Sequence, residues 1–331
     1  MTSSSQRVAK NTSILMLSQL VTTALSMFLV IIQPRIIGDV GFGSIAYAES
    51  IWGMAVVFVL FGMDVLIMKE VARKPEDSQK LLSTAVFLLI PLYLLSAILV
   101  AVWTISHNFS DEEILVIVIF GVASFIWQFS FLYRATLIGL EHIGAISKAD
   151  IIGKVFNTFV GLAVLYVTRN VVAMAWVGVG MASLTHLIQW RYLRRYFTLT
   201  LQIDYGYAWQ LLRSGVPYML SALFLAGYTR ADTLIMRELL NREAIGWYST
   251  SDRLFGTLLF VPTAFIGAMF PLMSRTYAND RDALPKMIQR SFGLMLILGV
   301  PIGMGLFAMA QPIINMLYGA EFFNTGAILS M

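Results

Sequence analysis

Eight ionisable residues lie inside or at the edges of long apolar runs in this sequence: Glu49, Asp64, Arg134, Lys154, Arg230, Asp232, Asp252 and Arg253. A charged side chain in a lipid-like environment costs free energy, so such residues usually face a cavity or a partner of opposite charge. Guanidinium and ammonium groups can compensate the permanent negative charge of a phosphate. These positions are therefore the first candidates for a functional site.

Three of the cations are predicted to line a cavity that binds an anionic group: Arg134, Lys154 and Arg230. Four further charges are predicted to support them: Glu49, Asp232, Asp252 and Arg253. Simpler explanations stay open. Arg134 and Asp64 lie near the ends of apolar runs and could reach the lipid headgroups. Lys154 lies four residues after Asp150 and could pair with it on one helix face.

Arg230 and Asp232 are two residues apart in the sequence. On a helix, residues two apart do not face each other. Each of them is therefore expected to find a separate partner, and the neighbouring apolar run offers two charges, Asp252 and Arg253.

The apolar runs themselves indicate the class of protein. The chain has 331 residues, of which 58% are hydrophobic and 13% are charged, and its mean hydropathy is +0.76. Soluble domains carry about 25% charged residues, and a membrane helix needs about 20 apolar residues. We predict an all-α integral membrane protein. Nine spans are predicted, and a tenth segment begins near Phe322: 12–34, 43–67, 81–105, 114–139, 149–168, 171–190, 214–236, 245–272 and 289–310.

The distribution of Lys and Arg predicts the orientation of these spans. With the N-terminus in the cytoplasm, fifteen of the 23 basic residues belong to the cytoplasmic side, four to the outer side and four to the spans. Cytoplasmic loops of membrane proteins carry an excess of Lys and Arg. The outer loop 106–113 holds three acids and no Lys or Arg. We therefore predict a cytoplasmic N-terminus.

Several classes of chemistry are excluded by the residue types. The chain has no Cys and three scattered His, so neither a disulfide framework nor a His or Cys metal cluster is expected. No Gly-rich loop with the Lys-Ser/Thr pair of ATP-binding proteins is present. The acids 111–113 are predicted to form a solvated loop rather than a metal site. We predict no catalytic residues, no metal and no cofactor.

An internal repeat is visible in two cytoplasmic loops, 69–82 and 275–288. At an offset of 206 residues, the first base, an Ala, the last base and the following apolar pair coincide. The outer ends of spans 1 and 7, at 34–47 and 236–248, are also similar. Six spans in each half would give both halves the same topology, as in transporters with parallel repeats. We predict a first lobe of six spans at 1–205 and an incomplete second lobe of three to four spans at 206–331.

Three motifs mark the ends of spans 1, 7 and 8. They are Pro-Arg-Ile-Ile-Gly-x-x-Gly-Phe-Gly at 34–43, Arg-Ala-Asp-Thr-Leu-Ile-Met at 230–236 with Glu-Ala-Ile-Gly-Trp-Tyr at 243–248, and Phe-Pro-Leu-Met-Ser-Arg at 270–275. With these motifs the chain resembles the Wzx-type polysaccharide flippases of the multidrug/oligosaccharidyl-lipid/polysaccharide exporter superfamily. The resemblance implies two six-helix lobes around a V-shaped cavity, with alternating access.

The resemblance also implies what is transported. The substrate would be an undecaprenyl-pyrophosphate-linked oligosaccharide, which crosses the bacterial inner membrane for the synthesis of O-antigen or exopolysaccharide. The implied partners are this lipid-linked oligosaccharide, membrane lipid and other polysaccharide-assembly proteins, and nucleic acid is not among them. No enzymatic activity is implied.

Two other functions remain as alternatives. The first is a cation-coupled multidrug antiporter of the same superfamily, which would need buried acids in the first lobe. The candidate charges of that lobe lean basic, since Arg134 and Lys154 stand against Glu49. The second is a membrane-embedded glycosyltransferase or glycan polymerase, which would need an acidic catalytic group and typically a large outer loop. The outer loops of this chain are short.

Overall fold

The computed structural model describes residues 4–196 and 205–331, and within these ranges the chain is helical with no strand. The α-helices are α1 (Ser4–Leu60), α2 (Met63–Arg73), α3 (Ser78–Ser106), α4 (Asp111–Gly139), α5 (Ile143–Thr168), α6 (Val171–Leu193), α7 (Tyr205–Leu239), α8 (Arg242–Leu258), α9 (Phe260–Asn279), α10 (Leu284–Leu317) and α11 (Phe323–Leu329). Much of the connection before the predicted boundary at 205/206 lies outside the described residues.

The predicted spans fall on these helices, with two differences in how they are divided, and spans 7 and 8 are not among the stretches that meet the length and hydropathy of a membrane helix. Six described stretches are long and apolar enough to cross a membrane: Ser13–Leu60, Pro75–Ser106, Asp111–Gly139, Ile143–Thr168, Val171–Leu193 and Arg281–Leu317. The first stretch takes in nearly all of the first predicted span and most of the second, whose last residues lie in α2. The chain is therefore an all-α, multi-pass membrane protein, as predicted.

The other difference is in the predicted eighth span, 245–272, which is divided between α8 and α9. The break falls at Leu259, between the end of α8 at Leu258 and the start of α9 at Phe260. Pro262 has no N–H group that could donate to the carbonyl of Leu258, so the regular helical hydrogen bond cannot form there. The missing hydrogen bond coincides with the break between the two helices, although α3 and α7 continue through Pro91 and Pro217.

The first helix reverses its direction at Gly38. This residue has φ 74° and ψ 175°, a conformation that side chains with a Cβ rarely adopt. It separates limb A, residues 4–37, from limb B, residues 39–60. Limb A runs beside α5, since the Thr158 hydroxyl donates to the carbonyl of Leu25 at 3.3 Å. Limb B runs beside α4, since the Trp52 indole donates to the carbonyl of Ile117 at 2.8 Å.

Limbs A and B form a helical hairpin, and this hairpin defines two ends of the helical bundle. The distal end contains Gly38 and the turns 107–110, 169–170 and 240–241, and the proximal end contains the turns 74–77, 140–142 and 280–283. Helices α1 to α6 share one core of buried apolar side chains. In contrast, none of the most apolar 18 residues of α10 is buried within the chain. Such a surface suits contact with lipid.

The backbone repeats itself at the offset of 206 residues seen in the sequence. Lys74 ends α2 at φ −140° and ψ 82°, and Asp280 ends α9 at φ −152° and ψ 85°. One short 3-10 turn follows each of them, Pro75–Asp77 and Arg281–Ala283. The next helices, α3 and α10, begin at the following residue in both cases. The two proximal loops therefore have the same local fold as well as similar residues.

Glycines bring α1 and α8 into backbone contact at the distal end. A Cβ added to Gly246 would lie 2.1 Å from the carbonyl oxygen of Asp39, and one added to Gly43 would lie 2.5 Å from that of Arg242. Small residues of this kind allow membrane helices to approach closely. Any larger side chain at either position must push the two helices apart.

Replacing Gly246 with Ala should therefore destabilise the protein by about 1–3 kcal/mol through overpacking. The matched control is Gly256→Ala on the same helix, where the added Cβ would meet nothing within 4 Å. Because Ala favours a helix over Gly, the control should be neutral or slightly stabilising. Thermal unfolding in detergent measures both, and equal midpoints for the two variants would contradict the close approach.

Candidate functional site

An ion pair between limb B and α8 lies at the centre of the candidate site. Nη2 of Arg253 lies 2.5 Å from Oε2 of Glu49, although the two residues are 204 positions apart. The guanidinium of Arg253 also lies over the ring of Phe42, 4.7 Å from its centroid. Lys154 on α5 is close enough to interact electrostatically with both members of the pair. Three helices thus contribute one charge each.

Helix α7 adds two further charges beside this pair. A Cβ on Gly53, one turn after Glu49 on limb B, would lie 3.4 Å from Nε of Arg230. The hydroxyl of Tyr248 donates a hydrogen bond to Asp232. Arg230 and Asp232 therefore have different nearest contacts, Gly53 on limb B and Tyr248 on α8.

Asp252 on α8 completes the group. It interacts electrostatically with Asp232, Arg253 and Arg230. We call these six residues the charge cluster: Glu49, Lys154, Arg230, Asp232, Asp252 and Arg253. Its three cations and three carboxylates balance one another in formal charge. Each cation can therefore be compensated inside the membrane before any ligand binds, and each is also a strong donor for an anion.

Arg134 is not part of the charge cluster. Its Nη1 lies 2.6 Å from Oδ2 of Asp150 near the proximal end. Asp150 precedes Lys154 by one turn of α5, so the acid that could have paired with Lys154 pairs with Arg134 instead. The structure thus brings Lys154 and Arg230 to one cluster and leaves Arg134 outside it, paired with Asp150.

The residues of the first sequence motif serve the distal end. After the reversal at Gly38, the carboxylate of Asp39 accepts a hydrogen bond from the Trp247 indole at 2.8 Å. The same indole N–H lies 3.2 Å from the carbonyl of Glu321. Gly41 is in contact with Val171, since an added Cβ would lie 2.7 Å from a methyl of that residue. These motif residues therefore join limb B to α8 and α6.

The prediction that the acids 111–113 form a solvated loop is wrong for Glu113. Its side chain is buried, with Arg242 at 2.8 Å and Arg237 at 3.5 Å from its two carboxylate oxygens. The cause is local as well as tertiary. Ser110 and Glu113 form a reciprocal capping box, which turns the carboxylate back toward the helix N-terminus and holds it there. We call Glu113, Arg237 and Arg242 the distal clasp.

Neighbouring contacts reinforce the distal clasp. The guanidinium of Arg237 lies over the ring of Phe109, 4.8 Å from the centroid. Nε2 of His107 lies 3.6 Å from Oε2 of Glu238. The clasp therefore ties the start of α4 to the end of α7 and the start of α8. A signal for it existed in the sequence, because Ser-x-x-Glu at 110–113 is the pattern of a capping box.

A double-mutant cycle should measure this coupling. Glu113→Gln, Arg242→Gln and the double variant are expected to give an interaction energy of about 1–3 kcal/mol in thermal or denaturant unfolding, because contacting charges are not additive. The control cycle replaces the exposed neighbour Glu112 with Gln, and its coupling to Arg242 should be close to zero. Additive effects of Glu113 and Arg242 would contradict the clasp.

Comparison with known proteins agrees with the fold and the motifs. The family model described as "Polysaccharide biosynthesis protein" matches residues 8–277. The chain is similar to a "Probable low-salt glycan biosynthesis flippase Agl15" of Haloferax volcanii, with 20% identity over 282 residues. This match covers 85% of the chain and 59% of the relative. No solved structure matches the chain. The family match spans all nine residues of the charge cluster and the distal clasp, and the chain belongs to the polysaccharide biosynthesis protein family.

Proposed function

We propose that this protein is a flippase that moves an undecaprenyl-pyrophosphate-linked oligosaccharide across the bacterial inner membrane for surface polysaccharide synthesis. The main support for this proposal is that Lys154, Arg230 and Arg253 lie close to limb B. The chain is also a membrane protein of this family. Three cations from α5, α7 and α8 suit a pyrophosphate, the one part of such a substrate that is always charged. The name of the Haloferax volcanii relative supports a glycan as cargo.

The proposed architecture has two lobes, at residues 1–205 and 206–331. Support comes from the backbone succession that recurs 206 residues later, from α2–α3 to α9–α10. The chain spans 59% of the length of the relative that it matches. Transport is therefore a proposal about the whole protein. The charge cluster lies where limb B and α5 of the first lobe meet α7 and α8 of the second. Parallel-repeat transporters bind their substrates at such a position.

The proposed mechanism is alternating access, with the distal end outside and the N-terminus in the cytoplasm. The Lys and Arg distribution supports this orientation. At the distal end the glycine contacts and the distal clasp hold the two halves together. At the proximal end, α9 makes its main contacts with α8 and α10 rather than with the first six helices. Helix α7 nevertheless contacts the first half toward this end, since a Cβ added to Gly215 would lie 2.2 Å from the carbonyl oxygen of Phe61. The two halves are therefore in close contact on both sides of the charge cluster in this conformation.

In this mechanism Lys154, Arg230 and Arg253 bind the pyrophosphate, and no catalytic group or cofactor takes part. The saccharide would pass between the lobes while the polyprenyl chain stays in lipid. Arg134 would act earlier, at the proximal entrance, where Asp150 holds it. The antiporter alternative requires acids that are free to bind a cation. Glu49 instead forms an ion pair with Arg253, which favours an anionic substrate.

Lys154→Gln and Arg230→Gln, introduced into the chromosomal gene, should each abolish or strongly reduce surface glycan. Each removes one cation from the pyrophosphate site, and a lost charge-assisted hydrogen bond costs about 1.5–3 kcal/mol. The control is Arg73→Gln, because the Arg73 side chain is 66% exposed and pairs only locally with Glu70. Surface glycan and the membrane content of the protein are the measurements. Normal glycan in both cluster variants would contradict the assignment.

Reversible cross-linking of the distal end tests alternating access. The chain has no Cys, so His107→Cys and Glu238→Cys would supply its only thiols. The native side chains approach within 3.6 Å across the two halves. A cleavable bifunctional thiol reagent should stop glycan export in the double variant, and reduction should restore it. Each single-Cys variant serves as the control, and unchanged export by cross-linked protein would exclude an opening at this end.

A further inference from the structure

The carboxylate of Glu49 occupies the position at which an anion would bind to Arg253. Its Oε2 lies 2.5 Å from Nη2 of the guanidinium, and Lys154 interacts with both groups from α5. Both side chains are only partly buried, with 36% of Glu49 and 25% of Arg253 exposed. The pair is therefore only partly covered by the rest of the chain that the structure describes.

A carboxylate and a phosphate offer the same kind of acceptor to a guanidinium. Both present two oxygens in a plane that matches the N–H groups of Arg, and both form charge-assisted bonds. Within a membrane neither Arg253 nor Lys154 is stable without a nearby negative charge. Glu49 supplies that charge when the site is empty, and the pyrophosphate proposed above would supply it when the site is filled.

Arg253 does not depend on Glu49 for its position. The guanidinium lies over the ring of Phe42 at 4.7 Å, and stacking on an aromatic face orients an arginine independently of an ion pair. The two partners of Arg253 thus have different effects. Phe42 presents the guanidinium to the site, whereas Glu49 occupies its hydrogen-bonding edge.

We infer that Glu49 is an internal competitor of the substrate's phosphate: it holds Arg253 in the empty site, is displaced when the pyrophosphate binds, and takes Arg253 back when the substrate leaves. This inference rests on the proposed function. It makes Glu49 a residue that sets affinity and release rather than one that contacts the transported group. While Glu49 occupies the site, the external anion cannot bind. The apparent affinity for that anion is therefore the intrinsic affinity multiplied by the fraction of time that the site is free of Glu49.

The consequence is opposite to that of an ordinary binding residue. Glu49→Gln keeps the shape of the side chain and removes its charge, so binding should become tighter by about tenfold if the site is free for about a tenth of the time. Export should become slower, because the carboxylate that recovers Arg253 is gone. A residue with a merely structural role would lower both binding and export.

Asp252→Asn provides the matched control. It removes one negative charge from the same cluster and interacts with Arg253 and Arg230 only through the electrostatic field. A general gain in positive charge would affect both variants alike. Competition for Arg253 predicts that Glu49→Gln tightens binding much more than Asp252→Asn does, and that Arg253→Gln weakens it.

The experiment measures binding of farnesyl pyrophosphate, a short polyprenyl pyrophosphate, to the protein produced from its own gene and purified in detergent. Farnesol is the uncharged probe. For the wild type, farnesyl pyrophosphate should bind more tightly than farnesol. Glu49→Gln should increase the affinity for farnesyl pyrophosphate about tenfold, as above, and leave that for farnesol unchanged. Surface glycan in the strain with this variant should fall.

Three results would decide against the inference. Affinity of Glu49→Gln for farnesyl pyrophosphate equal to or below that of the wild type excludes competition, and so does an equal gain in Asp252→Asn. If Glu49→Gln does not fold, Glu49→Asp is the second variant, because it withdraws the carboxylate by one methylene. This variant should also bind farnesyl pyrophosphate more tightly than the wild type. Weaker or unchanged binding would exclude competition by Glu49. A wild type that does not prefer farnesyl pyrophosphate to farnesol contradicts the proposed function itself.

Discussion

A charge that lies among apolar side chains in a membrane needs a partner, and the central part of this structure is arranged around that need. Arg253 and Glu49 satisfy each other across α8 and limb B, with Lys154 of α5 beside them. One turn further along the same face of limb B, Arg230 lies against Gly53, and Asp232 lies near it on α7. Limb B is therefore contacted by charged helices from both halves of the sequence, and its position depends on their mutual compensation.

The distal end is held by a different kind of interaction. There Gly43 and Gly246 allow helix backbones to touch, and the indole of Trp247 reaches Asp39 beyond them. The distal clasp adds a buried acid between two arginines. Backbone contacts act only over short distances, and the members of an ion pair can exchange partners. An interface built from both can therefore hold α8 against limb B and still separate. The charge cluster lies on the proximal side of this junction, between it and the close contact of Gly215 with Phe61.

Much of the fold was predictable, because membrane helices are recognised by local hydropathy. The apolar runs predicted the helices and the class of protein, and the loop similarity at 206 residues coincides with a repeated backbone. The helix break at Leu259 was missed, although Pro262 was a signal for it. Glu113 was assigned to a solvated loop because three acids in a row are usually exposed. Its burial depends on Arg237 and Arg242, which are more than a hundred positions away.

The sequence by itself determined that the chain is a multi-pass helical membrane protein and which few charges must be explained, since both follow from residue types within short windows. Only the tertiary structure decided how those charges are paired. In the sequence Lys154 is the local candidate partner of Asp150, whereas packing of α4 against α5 gives the acid to Arg134. Glu49 and Arg253 are 204 residues apart and meet because limb B and α8 pack together. An electrostatic pair depends on distance in space, and that distance is set by helix packing, which no local pattern encodes.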